Sequence, residues 1–178
     1  MDDNRSKYFV FVPFCLLAQA YQAKGIVKYE WKSSIKPFVE LLINNDINII
    51  QMPCPESGFN NLIREPMGLS KYNNKEFNEY CENLASSVAE QIKEIINSNY
   101  KVIAILGIEQ SPSCCVNYIY TNHGNEKRMG LFIEKLHDKI KEYNIPIIGI
   151  NRKYISKSLK QLEKVIKDNN KKDSLFSC

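Results

Sequence analysis

Four apolar runs punctuate the chain, at residues 8–14, 47–53, 101–106 and 145–150, and helical patterns separate them. Continuous apolar runs of this length, bounded by turn residues, fit strands buried on both faces. After the first run, Ile35, Phe38, Val39 and Leu42 form a helical stripe. Ser33 or Ser34 is its expected N-cap, with Pro37 in the first turn and an end near Asn44, Asn45 and Asp46. A long helix is expected over 75–97, with Phe77, Tyr80, Cys81, Leu84, Val88, Ile92 and Ile95 at i, i+3, i+4 spacing. Two further helices are expected over 129–143 (Phe132, Ile133, Leu136, Ile140 inward) and 155–167 (Ile155, Leu159, Leu162, Ile166). Strands alternating with helices imply an α/β fold with a parallel sheet. Right-handed crossovers allow the strand order 2-1-3-4. The expected architecture is therefore a Rossmann-like open parallel sheet of about four strands with helices on both faces. Residues 53–73 and 111–128 read as loops. The first is rich in Pro, Gly and Asn and long for a compact domain, which favours a site loop. Residues 1–168 form one expected domain, and 169–178 a frayed polar tail apart from Leu175 and Phe176.

Composition narrows the class. No apolar run reaches the ~18 residues of a membrane span, and the N-terminus Met-Asp-Asp-Asn-Arg is not a secretory leader. No membrane partner is expected, and the expected location is the cytoplasm. There, six cysteines read as metal ligands, catalytic thiols or core residues rather than disulfides. The net charge of +4 is mild, and no arginine stripe is interleaved with aromatics, so nucleic acid is not an expected partner. Neither a Gly-x-Gly-x-x-Gly turn nor a Walker-type loop follows the first strand.

The cysteines carry the chemistry. Cys15 follows the first strand, Cys54 the second, and Cys114 with Cys115 the turn after the third. In an open parallel sheet, neighbouring strand ends lie about 5 Å apart and ligands bind beyond the carboxyl ends. With order 2-1-3-4, Cys15 sits between Cys54 and Cys114. Three thiolates converging there can hold a metal or cluster with one position open. A buried structural thiol is the competing reading for any one of them taken alone. Zinc is a possible occupant, although the short Cys-x-x-Cys spacing of structural zinc sites is missing. Iron–sulfur electron carriers generally use four cysteines; three leave one iron exposed, suited to Lewis-acid work. Pro53 and Pro55 fix the backbone around Cys54. Neighbours in an extended segment point opposite ways, so Cys114 is taken as ligand and Cys115 as spare ligand or core residue. Cys81, on the helix stripe, is a core residue, and the terminal Cys178 is given no role.

Cys15-Leu16-Leu17, Cys54-Pro55-Glu56 and Ser111-Pro112-Ser113-Cys114, in this order, resemble the thiouracil desulfidase (TudS) family. The blocks span 15–114 and differ in weight, the Cys-Leu-Leu block being the weakest. The resemblance implies an α/β fold and a [4Fe-4S] cluster on Cys15, Cys54 and Cys114. It further implies Glu56 as acid/base and Ser111 as a hydroxyl that positions or protonates substrate. The implied activity is non-redox removal of sulfide from a small thiolated heterocycle of the thiouracil kind. The chain departs from the pattern in places: Ala18–Gly25 keeps only the glycine of the family's stretch there, and Cys115 replaces a glycine. The alternative is a non-catalytic iron–sulfur or metal-binding protein, a sulfur carrier or sensor. A redox role for the vicinal Cys114–Cys115 pair is weaker, since such pairs use Cys-x-x-Cys. Ser113 reads as a helix cap, Glu109 as a residue near the crevice, Tyr118 and Tyr120 as rings able to stack on a heterocycle, His123 as a loop residue, and His137 as structural.

Overall fold

The computed structural model describes residues 4–121 and 124–175. Its strands are β1 (Tyr8–Pro13), β2 (Asn48–Met52), β3 (Lys101–Ile108), β4 (Tyr118–Thr121), β5 (Gly124–Lys127) and β6 (Ile147–Ile150). Four of them form one parallel sheet in the order β2-β1-β3-β6, the 2-1-3-4 arrangement expected from the sequence; β4 and β5 pair as a separate antiparallel hairpin. In register, Val10 lies beside Ile49, Phe11 beside Ile105, and Leu106 beside Ile148. The helices are α1 (Phe14–Leu17), α2 (Lys36–Ile43), α3 (Pro55–Phe59), α4 (Leu69–Tyr72), α5 (Lys75–Asn97), α6 (Leu131–Ile140) and α7 (Ile155–Leu175).

The alternation of strand side chains, shifted by one residue in β3 where the register slips between Val102 and Ala104, splits the core in two. Phe11, Met52, Val102 and Ile105 face α5 and α6. Val10, Val12, Ala104 and Leu106 face α2 and α7. Both faces are thus covered by helices, as a parallel sheet requires. Cys81 is fully buried in α5. The N-cap of α5 is Asn74, whose side chain accepts from the Phe77 amide at 2.8 Å.

Several boundaries differ from the sequence expectation. The residue before α2 is Ile35, with no side-chain cap. Ile35 is fully buried and its amide donates to the Leu16 carbonyl at 2.8 Å, so packing outweighs the capping preference of Ser33 and Ser34. The loop at 53–73 contains α3 and α4, and that at 111–128 contains the hairpin, anchored by the buried Ile119. Strand β3 continues to Ile108, β6 begins at Ile147, and α7 runs to Leu175 rather than stopping at 167. His137 is exposed on α6. His123, Phe176 and Cys178 lie outside the described residues. Among the described residues, no helix is long and apolar enough to cross a membrane.

Candidate metal centre

At the carboxyl edge of the sheet, β1 runs into α1, β2 into α3, and β3 into the turn that carries Ser111–Cys115. Cys15 lies in α1, and the Gln19 side-chain amide donates to its carbonyl. Cys54 occupies the N-cap position of α3, between Pro53 and Pro55. The Ser111 hydroxyl shapes the third segment by accepting from the amides of Ser113 at 3.3 Å and Cys114 at 3.0 Å. Two glycines make room for it. A Cβ at Gly107 would overlap the Cys114 carbonyl oxygen, and one at Gly130 would overlap the Ser113 carbonyl group.

Cys15, Cys54, Cys114, Glu56 and Ser111 all line one cavity of about 320 Å³. Tyr120, weighed for stacking, lines it too, whereas Tyr118 does not; both rings are exposed. Cys115 is turned away, its thiol donating to the Arg128 carbonyl at 3.0 Å. Glu109 is occupied by the turn itself, accepting from the Asn117 and Tyr118 amides and from the Asn117 side chain.

Glu56 is held from both sides. Its Oε1 accepts from Ser111 Oγ at 2.8 Å and Ser113 Oγ at 2.7 Å. Its Oε2 faces Arg64 Nη2 at 3.3 Å, and the two side chains are 13% and 4% exposed. The same Arg64 nitrogen donates to the Tyr21 carbonyl at 2.9 Å and lies 3.9 Å from Cys54 Sγ. Burial works against the Arg64 charge, yet Glu56, Cys54 and Tyr72 together hold its pKa above the ordinary arginine value. Ser113 has one hydroxyl proton, and the carboxylate takes it. The Cys114 thiol, 3.5 Å away, is then free to donate to the Ser113 oxygen. The Ser111 oxygen donates once and accepts twice, so its capacity is spent on Glu56 and on the turn.

Two of the thiols, Cys15 and Cys114, are pushed above the ordinary thiol pKa. Burial, with Cys54 next, pushes Cys15 up to about 12 against the opposing pull of Arg152. Burial, then Cys54 and Cys15, raises Cys114 well above the ordinary thiol value. Thiols that raise one another's pKa in a buried pocket ionise when a cation binds among them. Among the described residues, no group of three or more His, Cys, Asp or Glu side chains is arranged to hold a metal ion. A single tetrahedral ion with Zn–S near 2.3 Å needs its sulfurs about 4 Å apart. A cluster spreads its thiolates over separate irons and so over a wider span. Three thiols around one cavity are a donor set that a cluster, or an ion with one open position, can use.

Sequence reasoning missed Arg64, Gln22 and Arg152 at the cavity, and it read Ser113, which holds Glu56 without lining the cavity, as a helix cap. Arg64 and Ser113 hold Glu56; Gln22 and Arg152 line the wall. Arg152 stands just past β6, at the same strand-end level that singled out the cysteines. Arginine usage was a second available signal: the chain has four arginines among 24 basic residues, and two of them line this cavity.

Fold and site together define an α/β protein with a thiol-lined cavity at the carboxyl edge of a parallel sheet. The chain is 30% identical over 167 residues to the uncharacterized protein MJ0003 of Methanocaldococcus jannaschii, covering 92% of this chain and 99% of that protein, and it belongs to the same family. No family model matches the sequence. Among solved structures, a [4Fe-4S]-dependent thiouracil desulfidase TudS aligns over 80% of this chain and 91% of that one, with a TM-score of 0.47 and 18% identity. A likeness at that level leaves the chemistry to be argued from this chain's own residues.

Proposed function

We propose that the protein is an iron–sulfur desulfidase. Cys15, Cys54 and Cys114 would hold a [4Fe-4S] cluster, and the cavity beside it would receive a small thiolated heterocycle. The observation that carries this reading is the meeting of three thiols with a clamped carboxylate, Glu56, in one cavity. When bound, such a cluster supplies an exposed iron with affinity for the substrate's sulfur.

The chain's residues supply the rest. The overall change is hydrolysis: the C=S group and one water become C=O and hydrogen sulfide, with no electrons exchanged. Among the described residues Glu56 is the one carboxylate lining the cavity, which suits it to accept a proton from the attacking water at Oε2 and to return it to the departing sulfur. Ser111 and Ser113 fix Oε1 and act through Glu56, as positioning groups. Tyr21, stacked on Phe14 with ring centroids 3.5 Å apart, and Met67 offer a flat apolar wall for a heterocycle.

The test is anaerobic reconstitution with iron and sulfide, followed by the visible spectrum and iron and sulfide counts. Loss of the charge-transfer band on changing Cys15, Cys54 or Cys114 to serine supports the ligand set. Glu56→Gln should then keep the band and abolish sulfide release from thiouracil. A variant that retains both would favour the carrier or sensor reading, in which Glu56 has no chemical task. Failure of the wild-type protein to take up iron, with its thiols titrating freely, would overturn the proposal.

A further inference from the structure

We infer that the compound bound in this cavity carries a carboxylate, received by Arg152 and Gln22. The inference deepens the proposed function by naming a substrate class, and its evidence is independent of the cluster. Arg152 lines the cavity. Its one hydrogen bond runs from Nη1 to Gln22 Oε1 at 3.1 Å, and among the described residues no carboxylate pairs with it. That bond fixes the Gln22 amide, because the flipped amide would set donor against donor. Gln22 Nε2 is thus the free end, and it is buried with no acceptor. Arg64 is not part of this receptor: its Nη2 serves Glu56 and Tyr21, and its guanidinium also interacts with the Tyr72 hydroxyl in the core. Buried donors of this kind are normally satisfied, and an orphaned amide beside a guanidinium with no carboxylate partner, on one cavity wall, asks for an acceptor from outside the chain.

Charge decides which acceptor. Arg64 is matched by Glu56. Among the described residues Arg152 is the remaining cation of the wall, so in the metal-free protein the unmet charge is a single positive one. A ring carbonyl would accept without meeting that charge. A phosphate monoester brings up to two negative charges and a larger head for a cavity of about 320 Å³. A carboxylate meets both counts, and arginine pairs with it well.

The test measures binding, with turnover left out. Uracil, uracil-6-carboxylate and inorganic phosphate are titrated calorimetrically into the full-length protein, as purified and after reconstitution. The carboxylate should bind about 10–100-fold more tightly than uracil, as a charged hydrogen bond allows. Arg152→Met and Gln22→Leu, checked for folding by circular dichroism, should each reduce that ratio, Arg152→Met bringing it near one. Equal binding of the two ring compounds overturns the inference, as does displacement of the carboxylate by millimolar phosphate. So does an Arg152→Met protein that keeps the preference but takes up less iron, since Arg152 would then be a counter-ion to the thiolates. Carboxylate preference without iron uptake would sink the desulfidase and leave this inference standing; iron uptake and thiouracil turnover without the preference would do the reverse.

Discussion

Replacing Arg64 with methionine tests whether the clamp on Glu56 is energetically coupled. Both side chains are nearly closed off from water, at 4% and 13% exposure, so solvent screens the pair little. Methionine fills much of the same volume and removes the charge. What remains is a mostly buried carboxylate without its cation, a change that typically costs about 3–5 kcal/mol. The two serine hydroxyls on Oε1 stay in place, which argues for the lower end, near 3 kcal/mol. The lost bond to the Tyr21 carbonyl pushes the other way by about 1 kcal/mol. For a chain of this length, a loss of that size lowers Tm by roughly 6–12 °C. Urea unfolding of the metal-free protein measures it, for Arg64→Met, Glu56→Gln and the double variant. Glu56→Gln should cost at least ~1 kcal/mol less in the Arg64→Met background than alone, because neighbouring charges are not additive. Additive losses, or an Arg64→Met protein within about 0.5 kcal/mol of wild type, would refute a coupled buried pair.

Gly107→Ala places a Cβ against the Cys114 carbonyl oxygen, which is backbone and cannot swing aside; it should cost about 1–3 kcal/mol and lower iron uptake, read by urea midpoint and iron count. Cys115→Ser should leave iron uptake unchanged, since this thiol faces the Arg128 carbonyl; loss of the visible band would move the ligand to Cys115. Loading with iron should release a proton from Cys15 and from Cys114, because both are held as neutral thiols, so uptake should strengthen as pH rises; a pH-indicator titration showing no release contradicts this. In the metal-free protein the same raised values stabilise the fold fully below the unfolded thiol pKa of about 8.5. That contribution is lost as pH climbs toward about 12; Cys15→Ser should flatten this alkaline fall in the urea midpoint.

The strand order was legible because central parallel strands are written as continuous apolar runs, and the handedness of crossovers leaves few ways to arrange four of them. The hairpin was hidden for the opposite reason. Gly124-Asn125-Glu126-Lys127 has no apolar alternation, and β5 exists because its backbone pairs with β4, which is pinned by Ile119 alone. The cysteines could be read because strand ends are fixed by topology, whatever the loops do. Arg64 could not be read that way. Its position depends on how residues 60–68 fold back over the segment near Tyr21, a path held by the Lys24 amide on the Arg64 carbonyl. Nothing in local periodicity encodes such a contact across 40 residues. Arg152 falls between the two cases. It obeys the strand-end rule that found the cysteines, and it was passed over because the rule was applied to one residue type. Applied to every polar residue within two positions of a carboxyl strand end, the same argument brings Arg152 into the site and, with it, the unmatched charge that bears on substrate choice.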